Sequence, residues 1–265
     1  MDNLLIYNFS NKLRLGEKSD GGYVLGELNE IYDCYISAGV SNEESFSRDF
    51  INKYNTTNNY AFDGTIEEYP YHYTNQINFI KKNINNINDE LNTNLDFLME
   101  QYNNIFLKMD IEGGEYPWLL SLDENKLNKF KQIVIEFHGI TDDGWGCVNS
   151  DKFKCLNKLS NTHYLIHAHG NNYSPVKNRI PDVIELTCIN KTCFKEPLNL
   201  NEIPLPIKDL DFCNNISKPE INMNCYPFVK YNSTIQNQHR QAIQNQHRQA
   251  IQNMRINKNI KLYYG

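Results

Sequence analysis

The 265-residue chain contains no apolar run close to the roughly 18 residues that a bilayer-spanning helix needs, so a helical anchor is not expected. Its first ten residues, M-D-N-L-L-I-Y-N-F-S, lack the basic start and small-residue cleavage site of a secretory leader. The expectation is a soluble, cytoplasmic protein. The seven cysteines are odd in number and form no C-x-x-C pair, which disfavours a structural zinc site or a secreted disulfide framework. Basic residues are outnumbered, 26 Lys and Arg against 32 Asp and Glu. The net charge of -6 does not suit a general nucleic-acid binder. Glycine is thin where a dinucleotide-binding turn would concentrate it: Gly39 stands alone where G-x-G-x-x-G has three.

Hydrophobic residues make up 40% of the chain, enough for the core of one large α/β domain. The most informative stretch is I-F-L-K-M-D-I-E-G-G-E-Y-P-W, residues 105–118. An apolar strand runs into Asp110, Glu112 and Glu115 around two glycines, and Pro117-Trp118 then enters a helical pattern. Open α/β sheets build ligand sites at such strand ends. A solvated acidic turn is the plain alternative.

Before this stretch, D-G-G-Y-V-L at 20–25 reads as a turn and short strand. C-Y-I-S-A-G-V-S at 34–41 reads as the first core strand and its turn. Ser41 or Asn42 is placed to cap the helix that follows. Residues 59–65 form a strand ending in Asp63, 24 residues after Gly39, where an acid can accept ribose hydroxyls. A third short strand is expected at 76–82, a polar loop at 83–94 and a helix at 95–102.

Beyond the acidic stretch, Q-I-V-I-E-F-H-G at 132–139 is a buried strand on which Glu136 and His138 share a face. Residues 141–146 form a loop able to cover a site, and 150–159 a helix. Strands at 163–170 and 183–189 have no helix between them and are expected to pair antiparallel. His167 and His169 share a face of the first, and His163 at its start reads as a hydrogen-bonded core residue. Residues 195–230 look like an irregular arm closing a domain of residues 1–230. From Ile235 an eight-residue repeat, I-Q-N-Q-H-R-Q-A, occurs twice and begins a third time. This polar tail, 231–265, is expected to be flexible or partly helical, with oligomerisation through 235–257 as the alternative.

Placed in order, D-G-G-Y-V-L, Y-I-S-A-G-V-S-N-E-E-S-F, A-F-D-G-T, L-K-M-D-I-E-G-G-E and I-V-I-E-F-H-G resemble the FkbM-type family of S-adenosylmethionine-dependent methyltransferases. The resemblance covers roughly residues 10–215, and L-K-M-D-I-E-G-G-E is its most specific piece. It implies a Rossmann-like class I methyltransferase fold: a mostly parallel seven-stranded sheet with a terminal antiparallel strand and helices on both faces. It also implies that the turn at Ser37, Gly39 and Ser41 approaches the cofactor and that Asp63 takes its ribose. Asp110 and Glu112 would border the reacting centre.

The expected reaction is methyl transfer to a hydroxyl of a small acceptor, a sugar or glycan intermediate. RNA ribose, lipid or protein acceptors and a non-catalytic scaffold are the alternatives. A hydroxyl needs help to lose its proton. Two devices suit: His138 as general base, or a divalent cation, Mg or Mn, at Asp110, Glu136 and His169.

Overall fold

The computed structural model describes residues 2–29 and 31–230. An antiparallel ribbon comes first, β1 (Lys12–Leu15) and β2 (Tyr23–Gly26), then β3 (Cys34–Ala38), α1 (Ser45–Tyr54), β4 (Asn59–Phe62) and β5 (Asn78–Ile80). Two short parallel strands follow, β6 (Asn83–Ile84) and β7 (Asn92–Thr93), before α2 (Asp96–Gln101) and β8 (Ile105–Met109). The chain continues through α3 (Glu115–Ser121), α4 (Glu124–Leu127), β9 (Phe130–Phe137), α5 (Asn149–Thr162) and β10 (His163–Gly170). A small hairpin, β11 (Val176–Lys177) and β12 (Ile180–Pro181), precedes β13 (Ile184–Asn190).

The central sheet runs β10-β13-β9-β8-β3-β4-β5. β13 is antiparallel to both neighbours, and the remaining pairings are parallel. This is the expected Rossmann-like class I arrangement. Its strand order reverses between β3 and β8, so the crevice at their carboxyl ends lies where Gly39 and Asp110 emerge.

Alternation along each strand builds two cores. Tyr35, Phe106 and Val134 point to one face; Ile36, Leu107 and Ile133 point to the other. On the first face α1 presents Phe46, Phe50 and Tyr54, spaced by four, to the sheet. The Phe50 ring centroid lies 4.5 Å from Tyr35 and 4.2 Å from Phe106. The second core takes Leu98 of α2, Leu119 of α3, Leu127 of α4 and Leu156 of α5. With both faces covered, the parallel strands carry continuous apolar runs.

Three local features differ from the sequence reading. β1 is an additional strand, whose residues are all only partly buried and therefore show no clean alternation. α1 begins at Ser45 and not beside Asn42, because Ser41 turns through φ 49° and the Glu43 carboxylate accepts the Ser45 N–H at 2.9 Å. The segment 83–94 holds the β6–β7 pair inside its polar loop.

Residues up to Val229 form one compact unit. In it the arm, residues 195–229, folds without a helix or strand and is pinned by buried polar contacts. Asp211 meets His167 at 2.7 Å, Glu220 meets His169 at 2.9 Å, and Asn214 donates to Glu185 at 2.7 Å. The expected repeat tail lies outside the described residues. No helix among those described is long and apolar enough to cross a membrane.

His163 is the satisfied core histidine that was expected. Its ring nitrogens meet the Thr162 hydroxyl at 2.7 Å and the Phe130 carbonyl at 2.9 Å. Burial pushes its imidazole down to about 4, against the opposing pull of that carbonyl. The unfolded chain takes up this proton near pH 6.5, and the folded protein resists it. Stability from this site is therefore complete above pH 6.5 and declines toward pH 4, by on the order of 3 kcal/mol. His163→Gln should shrink the fall in denaturation midpoint between pH 6.5 and 4. An unchanged fall would assign the acid sensitivity to other groups.

Candidate functional site

The two central strands end in contact. Gly39 turns through φ 79°, and a Cβ there would lie 1.6 Å from the Asp110 carbonyl oxygen, so only glycine fits. At the turn, the buried Lys108 ammonium donates to the Gly39 carbonyl at 2.7 Å. A cavity of about 540 Å³ opens above it, lined by Gly39, Ser41, Asp63, Lys82, Asp110 and Glu112.

Asp63 braces this turn. Its Oδ2 accepts the Val40 and Ser41 N–H groups at 3.1 and 3.0 Å. Its Oδ1 accepts the Thr65 N–H and hydroxyl at 2.7 and 2.6 Å. Burial raises the carboxyl's pKa, but these hydrogen bonds together outweigh it and hold the group below the usual carboxylate range.

On the other side of Asp110 lies a second cavity of about 400 Å³. Asp20, Asp110 and Glu112 line both spaces. His138 stands in the second, just past the end of β9. Its Nε2 is 3.3 Å from Glu112 Oε2 and 3.7 Å from Asp110 Oδ1. Burial lowers the imidazole's pKa, but Glu115, Asp110 and Glu112 overcome it and set the ring above its ordinary value. Glu112 reaches this position from a left-handed backbone, φ 52°, a conformation costing about 1–3 kcal/mol in a non-glycine residue.

Glu115 opens α3. The structure gives it a wider reach. Fully buried, it accepts the Gly113 N–H at 2.8 Å and the His138 N–H at 2.9 Å, tying the ends of β8 and β9 together. Its Oε1 also lies 3.4 Å from His138 Nδ1. The loop 141–146 covers the site as expected, with the Trp145 ring centroid 4.9 Å from that of His138.

Two expected assignments change. Ser37 does not line the cofactor-side cavity: it is fully buried and donates to the Glu44 carboxylate at 2.8 Å, within a polar cluster that includes Ser47 and Tyr69. The strand's alternation turns its hydroxyl inward. The metal set Asp110, Glu136 and His169 does not assemble. His169 Nδ1 engages Glu185 at 3.1 Å and Nε2 engages Glu220 at 2.9 Å, so no ring nitrogen is free for a cation. Burial opposes the charge on His169, but the two carboxylates prevail and raise its pKa well above the imidazole norm. The structure instead brings ligand atoms of Asp110, Glu112 and His138 within 4.8 Å of one another.

Glu136 lines the second cavity but is buried among other acids. Burial first, then Asp110 and Glu185, push its carboxyl well above the usual range and favour the protonated form. Asn171 donates to it at 2.8 Å. The sequence reading missed Tyr23, whose hydroxyl donates to Asp110 at 3.2 Å and reaches Glu136 at 3.5 Å. Its only signal was its place in D-G-G-Y-V-L, beside the glycine turn.

The model of the methyltransferase FkbM domain matches residues 14–173, more than half the chain. No curated protein matches it. Among solved structures, a TehB-like SAM-dependent methyltransferase from Corynebacterium glutamicum superposes with a TM-score of 0.37 at 12% identity. It covers 62% of this chain and 83% of its own. The family match spans β1 through β10 and includes both turns that frame the two cavities. The chain therefore belongs to the FkbM methyltransferase domain family, and it is an S-adenosylmethionine-dependent methyltransferase.

Proposed function

We propose that the methyl group goes to a hydroxyl of a small polyhydroxylated acceptor, of the carbohydrate class, held in the 400 Å³ cavity. The observation that carries this reading is the meeting of two cavities along Asp110 and Glu112, with an imidazole nitrogen 3.3 and 3.7 Å from those carboxylates. A two-substrate transfer needs two adjoining spaces and a proton acceptor where they join.

The cofactor-side residues suit S-adenosylmethionine. The Gly39 cradle has no room for a Cβ, which brings backbone up to the ligand, and Asp63 stands at the neighbouring strand end. Asp63 would accept ribose hydroxyls, one of them in place of the exposed Thr65 hydroxyl. When bound, the cofactor supplies a methyl group already activated by its sulfonium.

The chain's task is to orient the acceptor and remove its proton. Neutral His138 takes that proton at Nε2, and Glu115 fixes the position from which it does so. Asn171 and Asp182 offer hydrogen bonds to hydroxyls, and the exposed rings of Trp145 and Tyr173 offer faces to a sugar ring. The same Asp110, Glu112 and His138 donors also favour a second reading, in which a divalent cation clamps the acceptor hydroxyl.

Asp63→Ala should weaken S-adenosylmethionine binding at least tenfold by calorimetry, through loss of both the ribose contact and the turn brace; unchanged affinity would remove Asp63 from the site. His138→Ala should lower kcat by about 10²–10⁴ with cofactor affinity retained. Because acids hold its pKa above 6.5, kcat/KM of the native enzyme should fall on acidification through a midpoint above that value. Glu112→Gln should move the midpoint down, and a midpoint indifferent to it would exclude His138 as the titrating base. Exhaustive chelation decides between base and cation. Full activity in chelator supports the base, whereas loss reversed by Mg or Mn supports the cation.

A further inference from the structure

The second cavity has an unbalanced charge. Five carboxyl groups line it, from Asp20, Asp110, Glu112, Glu136 and Asp182, and among the described residues no lysine or arginine does. Asp182 is engaged by the Thr141 backbone N–H and hydroxyl, Asp20 accepts the Asn214 amide at 3.1 Å and Asp110 the Tyr23 hydroxyl at 3.2 Å; Lys82 and Lys108 line the cofactor-side cavity alone, so on the acceptor side the wall of Asp20, Asp110 and Glu112 faces His138 and no described lysine or arginine. Lys82, Lys108 and S-adenosylmethionine, with its net charge of about +1 from sulfonium, ammonium and carboxylate, serve the cofactor side of that wall and leave its acceptor side acidic.

The two aromatic rings at the mouth point the same way. Trp145 is 45% exposed and Tyr173 58% exposed, both line the space, and the Tyr173 ring already draws one cation, Lys218 Nζ, to 5.9 Å from its centroid. An exposed ring face attracts an organic cation and gives nothing comparable to an anion. A phosphorylated or nucleotide-linked acceptor would enter a cavity that repels it at every acidic wall.

We infer that the acceptor carries a protonated amine beside its reacting hydroxyl, an amino sugar being the class that fits the cavity. This rests on the base-assisted form of the function proposed above. The ammonium sits against Asp20 and Glu112 on the side of the aromatic rings, and the hydroxyl faces His138. The charge then selects the acceptor, while the imidazole and the cofactor select the atom that is methylated.

The test is calorimetry on the full-length protein saturated with S-adenosylhomocysteine. The probes are glucosamine and galactosamine, their N-acetyl forms and glucosamine 6-phosphate. Each free amine should bind at least tenfold more tightly than its N-acetyl partner. The phosphate should cancel the gain, and raising the pH above the amine's own pKa should erase it. Equal affinity, tighter binding of an N-acetyl or phosphorylated form, or no binding of either free amine overturns the inference. Transfer is read separately, with isotope-labelled methyl and mass spectrometry. Amine-selective binding with no label on any hydroxyl would sustain the charge selectivity and sink hydroxyl transfer. Label on neutral sugars without amine preference would do the reverse.

Discussion

Everything in the site depends on the contact between Gly39 and the Asp110 backbone. The amide of Asp110 donates to the Ala38 carbonyl at 2.9 Å, and the Gly39 amide donates to the Phe62 carbonyl at the same distance. Three parallel strands are thereby locked at their carboxyl ends, at the point where the strand order reverses. A side chain at position 39 would push β3 and β8 apart and open the floor shared by the two cavities. Lys108 holds the same turn through the Gly39 carbonyl and also lines the cofactor-side cavity, so one buried cation both positions the turn and faces the ligand space.

Glu115 extends that lock sideways. One buried carboxylate accepts backbone hydrogens from the turn after β8 and from the end of β9. It thereby sets the height of His138 relative to Asp110 and Glu112. Lys152 supports the next residue of the same chain segment, donating to the Gly139 carbonyl at 2.5 Å from α5. Trp145 closes the outer side, where a Cβ on Gly139 would fall 2.1 Å from the indole. The imidazole is held on one side by a carboxylate and on the other by a ring, and its Nε2 faces the acids that line the cavity.

The arm shows how charge can serve structure in one part of a chain and chemistry in another. His167 and His169 sit two residues apart on β10, as Glu136 near the end of β9 and His138 just past it do. They differ in what covers them. Asp211, Glu185 and Glu220 close over the β10 pair and make it an anchor for residues 195–229. Among the described residues nothing of that kind covers His138 Nε2, whose nearest acids belong to the cavity wall.

The seven strands of the central sheet, their order of appearance, the antiparallel end pair and the irregular arm were legible in the sequence. Each rests on local periodicity and on the apolar runs that a sheet covered on both faces requires. Asp110, Glu112 and His138 were legible too, as polar residues at the ends of buried strands. The partners of each histidine were not. His169 meets Glu220 across 51 positions, and Tyr23 meets Asp110 across 87. No local pattern encodes such contacts, because they follow from how the arm and the β1–β2 ribbon settle on the sheet. Strand alternation turns Ser37 inward, and Glu44 meets its hydroxyl there. By itself the sequence determined which residues stand at strand ends, since burial imposes a period that can be read one strand at a time. Only the tertiary structure decided which acids face a cavity and which face a histidine, since that depends on groups brought together by chain folding.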